Sequence, residues 1–98
     1  MNIEIIKNQD QCTIVVSGRI DANSAPSLDS VITNDINEIK NLVFDLNGLE
    51  YISSAGLRVF LNAQKKMNKL GCMKLVGVCE EVMSIFEMTG FADILNIE

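Results

Sequence analysis

The segment Cys12–Arg19 has the period of two that is expected of a strand, since Cys12, Ile14, Val16 and Gly18 alternate with Thr13, Val15, Ser17 and Arg19. β-branched residues are frequent in Ile3–Lys7 and Cys12–Arg19, and the polar segment between them predicts a hairpin turn. Three later apolar segments also predict strands: Leu42–Leu46, Met73–Val78 and the short stretch that contains Ile94, Leu95 and Ile97.

Between these strands, apolar residues recur at helical spacing. A first helix is predicted after Ser24, which can cap it, with Pro26 in its first turn. Its inward positions are Leu28, Val31, Ile32, Ile36 and Ile39. A second helix is predicted over Ser54–Leu70, and a third over Glu80–Met88. The inner face of the second helix is predicted to consist of Leu57, Phe60, Leu61, Ala63, Met67 and Leu70.

The order of these elements predicts the fold class. Strands that alternate with helices after an opening hairpin favour right-handed crossovers onto a mostly parallel sheet with one antiparallel N-terminal strand. We therefore expect one α/β domain over residues 1–98, with four to five strands and about three to four helices. The Asn47-Gly48 pair predicts a turn that ends the third strand.

Composition excludes several functional classes. The chain is 48% hydrophobic, but no apolar run approaches the roughly 18 residues that a membrane span needs. The N-terminus lacks the basic start and long apolar segment of a signal peptide, so we expect a cytoplasmic protein. A net charge of −5 opposes binding to the phosphate backbone of nucleic acids.

The absence of histidine argues against catalysis. Ser-His-Asp and Cys-His mechanisms need an imidazole base, and a histidine phosphocarrier needs the residue itself. Cys12, Cys72 and Cys79 form no C-x-x-C pair, so no metal site is expected. Cys12 and Cys79 are interpreted as small buried apolar residues. We expect no catalytic residue, no metal and no cofactor.

The pair Ser53-Ser54 lies where a buried strand is followed by the second helix. The first backbone N–H groups of a helix are unpaired, and the helix dipole favours negative charge there, so the position suits a hydroxyl that is phosphorylated at times. One serine can also serve simply as the helix cap. The small residues Ala55 and Gly56 suggest that another molecule approaches this helix start closely.

Two further groups of residues are candidates for the same surface. Asp21 follows the end of the second strand, and ligand sites in parallel sheets gather at such ends. It could therefore lie near Ser54 and either hydrogen-bond the free hydroxyl or repel a phosphate on it. A polar stripe on the second helix could contact a partner or be merely solvated; it consists of Arg58, Asn62, Lys65, Lys66 and Lys69.

With these residues in hand, the chain resembles the bacterial anti-sigma-factor antagonists, the single-domain form of the STAS fold. Ile52–Arg58 carries the most specific part of the resemblance, and Gly18–Asp21 and Phe86–Phe91 support it. In that family the phosphorylated serine lies two residues before the glycine of this turn, which places it at Ser54, with Ser53 as the alternative. Many phosphorylated members have an aspartate where this chain has Ser53.

The resemblance implies a partner switch. The unmodified form would bind a serine-kinase anti-sigma factor with a histidine-kinase-like ATPase fold and so release a sigma factor. That kinase would phosphorylate Ser54, which would abolish binding, and a metal-dependent serine phosphatase would reverse the modification. The implied partner-binding residues are Asp21, Asn23, Ser53, Ser54, Ala55, Gly56 and Arg58. A monomer or weak dimer is expected.

A second hypothesis remains open on the same residues. A STAS module that is never phosphorylated could serve as a structural subunit of a transport or signalling complex, or as a nucleotide-binding module at the same helix start. A serine–lysine hydrolase is the weakest alternative, because no lysine lies near Ser54 in the sequence.

Overall fold

The computed structural model describes residues 1–98 and contains a four-stranded sheet with three α-helices. The strands are β1 (Asn2–Asn8), β2 (Gln11–Ile20), β3 (Asn41–Ile52) and β4 (Cys72–Val76). The helices are α1 (Ala25–Asp35), α2 (Ser54–Leu70) and α3 (Glu80–Thr89), followed by a 3₁₀ turn over Phe91–Asp93.

The sheet has the order β1-β2-β3-β4. β1 pairs antiparallel with β2, whereas β2–β3 and β3–β4 are parallel pairs. This topology confirms the predicted α/β fold with one antiparallel N-terminal strand. None of the helices combines the length and the apolar content that a membrane crossing requires.

Side chains on one face of the sheet are buried beneath the helices. Over residues 12–16 of β2 and residues 42–46 of β3 every second residue is buried and the residues between them are half-exposed, so the opposite face is open. Beyond these segments the buried residues are Ile20, Leu49 and Ile52. The centre of the core is an edge-to-face series of three rings: Phe44 and Phe60 have centroids 4.8 Å apart, and Phe60 and Phe86 have centroids 6.3 Å apart. This arrangement joins β3, α2 and α3 in one core.

The predicted turn at Asn47-Gly48 is wrong. β3 continues through these residues to Ile52, and two shifts of register against β2 absorb its extra length, one between Val15 and Ser17 and one between Gly18 and Arg19. Asp45 stabilises the irregularity, because its Oδ1 accepts hydrogen bonds from the backbone N–H and the side-chain amide of Asn47. The Asn47-Gly48 pair therefore lies in a β-bulge and not in a turn, because residues before and after it pair with β2.

The C-terminal segment also departs from the prediction. Ile94, Leu95 and Ile97 form no strand; a single bridge joins Ile97 to Leu75, with Leu75 donating to the carbonyl of Asn96 and accepting from Glu98. The sheet therefore has four strands, at the lower end of the predicted range.

The observed bounds of the helices differ from the predicted ones by less than those of the strands. α1 ends at Asp35, although Ile36 and Ile39 beyond it remain buried, because the turn after the helix also directs them inward. Ser24 occupies the N-cap position without a side-chain capping bond. α2 has its predicted bounds, but Leu70 is 42% exposed and Leu61 half-exposed, while Gly56 and Val59 join the buried face.

Candidate functional site at the start of helix α2

The candidate site lies where β2 and β3 end and α2 begins. Ile20 and Ile52 are paired residues at the ends of these two parallel strands. The N–H of Ser53 then donates to the carbonyl oxygen of Ile20 over 2.8 Å. This bond fixes the start of α2 beside the segment that follows β2, as expected for a site at the carboxyl ends of parallel strands.

Ser53 is the N-cap residue of α2. Its backbone is extended, with φ −90° and ψ 174°, and its Oγ accepts a hydrogen bond from the N–H of Gly56 over 3.3 Å. Its carbonyl oxygen accepts from the N–H of Leu57. The structure thus assigns the capping function, which the sequence left open between two serines, to Ser53.

Ser54 is the first residue of α2 and is exposed. Its hydroxyl makes no hydrogen bond within the chain, in contrast to that of Ser53. The backbone N–H groups of Ser54 and Ala55 lie in the first turn, where no helical carbonyl precedes them. The hydroxyl is therefore accessible and next to unpaired amide hydrogens at the positive end of the helix dipole.

Gly56 has a packing function that its position in the sequence did not indicate. It is buried, and a Cβ atom at this position would lie 2.7 Å from Cγ2 of Ile20 and 2.7 Å from Cγ1 of Ile52. The glycine allows the start of α2 to pack directly on the two strand ends. Its small size is thus explained without an approaching molecule, and Ala55 beside it is partly buried against the core.

Asp21 is committed to the loop that follows β2. Its Oδ1 accepts hydrogen bonds from the N–H groups of Asn23 and Ser24, each over 2.9 Å, and from the Ser24 hydroxyl over 3.2 Å. The backbone N–H of Ser24 is the main cause that holds the pKa of Asp21 below its ordinary value. Asp21 makes no hydrogen bond to Ser54; it supplies a fixed negative charge on the neighbouring strand end, and Asn23 beside it is exposed.

A shallow groove runs between the first turns of α1 and α2. It has a volume of about 240 Å³ and is bordered by Asp29 of α1 and Arg58 of α2. Its floor is formed mainly by small or apolar residues, namely Ala22, Ala25, Pro26, Ala55 and Val59. The groove adds an apolar surface with two charged borders next to Ser54.

All five residues of the predicted polar stripe are exposed on α2. Lys66 donates a hydrogen bond to the Thr33 hydroxyl of α1, and no residue of the stripe forms an ion pair. Arg58 is thus near Ser54, whereas Lys65, Lys66 and Lys69 occupy the far half of the helix. The stripe is not one site, and only its first members border the groove.

The cysteines differ in their surroundings. Cys12 is fully buried, as predicted, and burial raises the pKa of its thiol. Cys79 is half-buried at the N-cap position of α3, and Cys72 is exposed. Nowhere do three histidine, cysteine, aspartate or glutamate side chains gather in an arrangement that could hold a metal ion.

Sequence reasoning missed one feature at the same edge of the sheet. Arg19 and Tyr51 are paired residues of β2 and β3, and the guanidinium carbon of Arg19 lies 4.4 Å from the centroid of the Tyr51 ring. Each precedes by one position an isoleucine that faces the core, so the pair lies on the open face. No sequence signal indicates this contact, because it depends on the register shift in β3.

Comparison with known proteins agrees with this geometry. The STAS domain family model matches residues 2–98. The anti-sigma-B factor antagonist of Bacillus subtilis is 30% identical over 98 residues, covering 99% of this chain and 90% of its own length. The corresponding protein of Listeria monocytogenes is 34% identical over 105 residues, covering 100% of this chain and 90% of its own length.

Solved structures show the same fold. An anti-sigma factor antagonist from Mycobacterium paratuberculosis superposes with a TM-score of 0.88 at 23% identity, over 98% of this chain and 83% of that one. Unphosphorylated SpoIIAA superposes with a TM-score of 0.86 at 14% identity, over 99% of this chain and 88% of that one. Since the family model spans residues 2–98 and the two curated relatives align with nearly all of this chain, the chain belongs to the STAS domain family and is similar along its length to the anti-sigma-B factor antagonists.

Proposed function

We propose that this chain is an anti-sigma factor antagonist whose binding is switched by phosphorylation of Ser54. The observation that carries the proposal is that two adjacent serines use their hydroxyl groups differently. Ser53 uses its hydroxyl to cap α2, whereas Ser54 is exposed with a free hydroxyl. The names of the curated relatives supply the class of partner, an anti-sigma factor.

In the unmodified state, the surface around Ser54 suits a protein partner. The apolar floor of the groove between α1 and α2 can be covered, and the Ser54 hydroxyl is small and neutral. We expect the anti-sigma factor to bind here and, once bound, to be unable to retain its sigma factor. The antagonist itself performs no chemistry in this step and acts as a regulatory protein.

In the modified state, the kinase activity of the anti-sigma factor transfers the γ-phosphoryl group of ATP to Oγ of Ser54. The bond from that phosphorus to the β-phosphate oxygen breaks, ADP leaves, and the hydroxyl proton is released. Phosphate adds about −1.5 to −2 charge at pH 7. Free amides at the start of α2 can solvate this charge in the isolated protein, but a partner that covers the site must strip water from it.

The switch therefore acts through desolvation and repulsion. Asp21 is held in its charged form by the hydrogen bonds in its loop, so a second anion on Ser54 makes the edge strongly negative. A penalty of about 3 kcal/mol lowers affinity more than a hundredfold, since about 1.4 kcal/mol is tenfold. Hydrolysis of the phosphate by a metal-dependent serine phosphatase restores the binding form.

Kinase assays on serine variants test the modification. The purified cognate anti-sigma factor and ATP should add one phosphate to the wild type and to Ser53→Ala, and none to Ser54→Ala, as measured by intact-protein mass spectrometry. The Ser53→Ala variant is the matched control, because it removes the neighbouring hydroxyl and keeps the proposed acceptor. Modification of Ser54→Ala together with loss in Ser53→Ala would move the acceptor to Ser53.

Binding measurements test the switch itself. Ser54→Ala should bind the anti-sigma factor as tightly as the wild type, whereas Ser54→Asp should bind at least about tenfold more weakly, which corresponds to about 1.4 kcal/mol. Equal affinities for the wild type and Ser54→Asp would refute the mechanism. A stoichiometric bound subunit or nucleotide in native mass spectrometry, with no phosphorylated form, would instead favour the unphosphorylated module.

A further inference from the structure

We propose that Arg19 and Tyr51 form a second docking contact for the anti-sigma factor, one that binds an acidic side chain of that protein. This inference rests on the proposed function and adds a specificity-determining surface to it. The contact lies on the open face of the sheet, near the carboxyl ends of β2 and β3, and Ser54 lies just beyond the end of β3.

The first argument is geometric. Arg19 and Tyr51 are direct partners in the parallel pairing of β2 and β3, and the guanidinium carbon lies 4.4 Å from the ring centroid. Both side chains are exposed, and Tyr51 is one of few large hydrophobic or aromatic residues left partly uncovered. A guanidinium held over a ring has already lost much of its rotational freedom, so binding a partner costs it less side-chain conformational entropy.

The second argument is that this cation has no partner within the chain. The ion pairs of the structure are Lys7–Asp35 and Lys74–Glu98. Asp21 is near enough for Arg19 to help lower its pKa, but the two side chains form no ion pair, and the Asp21 carboxylate bonds to the amides of Asn23 and Ser24 instead. Since stacking uses the flat side of a guanidinium, its N–H groups remain available for a carboxylate.

The third argument is continuity with the proposed binding surface. The residues after Arg19 and Tyr51 are Ile20 and Ile52, and the carbonyl of Ile20 accepts the hydrogen bond from Ser53. A partner that covers Ser54 and extends over the carboxyl edge of the sheet meets the pair next. Tyrosine and arginine are also the residue types enriched at the energetic centres of protein interfaces.

Charge selects the chemistry of the partner. The chain carries a net charge of −5, so it repels acidic surfaces in general. An acidic side chain that meets the guanidinium of Arg19, which forms no ion pair within the chain, is therefore favoured at this position and disfavoured at most others. Such a contact sets the orientation of the complex as well as its affinity.

The experiment measures the affinity of the unphosphorylated variants for the purified cognate anti-sigma factor. Arg19→Ala should weaken binding by about tenfold, equivalent to about 1.4 kcal/mol. Arg19→Lys should recover little of this loss, because an ammonium lacks the planar fork of donors. Tyr51→Phe should bind like the wild type, whereas Tyr51→Leu should be weakened because the aromatic face that holds Arg19 is gone.

Control variants separate the two proposals and guard against unfolding. Lys65→Ala removes an exposed cation from the far half of α2 and should leave affinity unchanged. Thermal unfolding of each variant identifies losses that come from misfolding, and Arg19→Lys and Tyr51→Phe are the conservative members of the set. A double variant, Arg19→Ala with Tyr51→Leu, should bind no more weakly than Arg19→Ala alone.

Wild-type affinity in Arg19→Ala and Tyr51→Leu, together with weak binding of Ser54→Asp, would overturn this inference and leave the proposed function intact. Wild-type affinity in all three would overturn the proposed function itself.

Discussion

Adjacent residues at the start of α2 have separate physical tasks. Ser53 satisfies the N–H of Gly56, Ser54 presents a free hydroxyl, and Gly56 lets the helix lie against Ile20 and Ile52. None of the three can exchange tasks, because the backbone at Ser53 is extended and that at Ser54 is helical. A modification of Ser54 therefore leaves both the cap and the packing of the helix undisturbed.

Asp21 provides a pH-dependent contribution to stability. Its pKa lies below the ordinary 3.8, mainly because of the backbone hydrogen bond from Ser24, so its ionised form stabilises the folded state. This contribution is present above the unfolded pKa and is lost as the pH falls through the depressed folded value. We expect Asp21→Asn to have a lower free energy of unfolding than the wild type at pH 7. The free energies of unfolding of the two proteins should converge below pH 3.8.

Urea unfolding at several pH values checks this prediction. Asp29→Asn is the matched control, because Asp29 lies on the nearby first helix and accepts no side-chain hydrogen bond within the chain. A stability difference between Asp21→Asn and the wild type that persists unchanged at low pH would show that charge is not the cause.

Helix α2 is the element on which the site depends. Its first turn is anchored at both ends, by the bond from Ser53 to Ile20 and by the burial of Gly56 and Leu57. All of its charged residues are basic: Arg58, Lys65, Lys66 and Lys69. Because no acidic residue lies in its first turn, the Ser53 side chain is the one local group that accepts a hydrogen bond from the amides at its start.

Removal of the cap should weaken the domain measurably. Ser53→Ala loses the hydrogen bond to Gly56 and should cost about 1 kcal/mol of unfolding free energy. Ser53→Asp should restore that stability, because aspartate caps about as well as serine and carries a charge that the helix dipole favours. Denaturant unfolding measures both.

Ser54→Ala is the control for this series. Its hydroxyl makes no hydrogen bond within the chain, so its unfolding free energy should stay within about 0.5 kcal/mol of the wild type. A larger loss in Ser54→Ala than in Ser53→Ala would mean that the capping assignment is reversed.

Across the whole molecule, the Ser54 hydroxyl lies outside the core, although the helix start that carries it packs on the core residues Ile20 and Ile52. The edge-to-face rings of Phe44, Phe60 and Phe86 lie between the sheet and the helices, whereas Ser54 lies at the edge where the strands end. A phosphate on this exposed hydroxyl would therefore add its charge at the surface and not within the core.

Phosphorylation should therefore leave the fold unchanged. We expect the phosphorylated protein to keep the circular dichroism spectrum and thermal midpoint of the unmodified protein to within a few degrees, a shift of less than about 1 kcal/mol. Changes in amide chemical shifts should be confined to the start of α2, the loop at Asp21 and the end of β3. Widespread shifts through α3 or β1 would show that the switch works by refolding instead.

Local sequence patterns predicted some elements of the fold and of the candidate site but not others. The parallel order of strands, the bounds of α2 and the serine pair at its start follow from periodicity and end signals. These signals depend on residues within a few positions of each other, and such patterns survive in any compact fold. The same reasoning failed at Asn47-Gly48, because the strand pairing on both sides of this dipeptide outweighs its turn preference.

By itself, therefore, the sequence determined an α/β domain of the STAS family with a pair of serines, residues 53–54, at the start of its second helix. Tertiary structure alone decided which serine caps, why residue 56 must be glycine, that Asp21 bonds within its own loop, and that Arg19 stacks on Tyr51. The physical reason is that hydrogen-bond partners and close contacts between distant segments depend on register and packing. No local pattern encodes either of these.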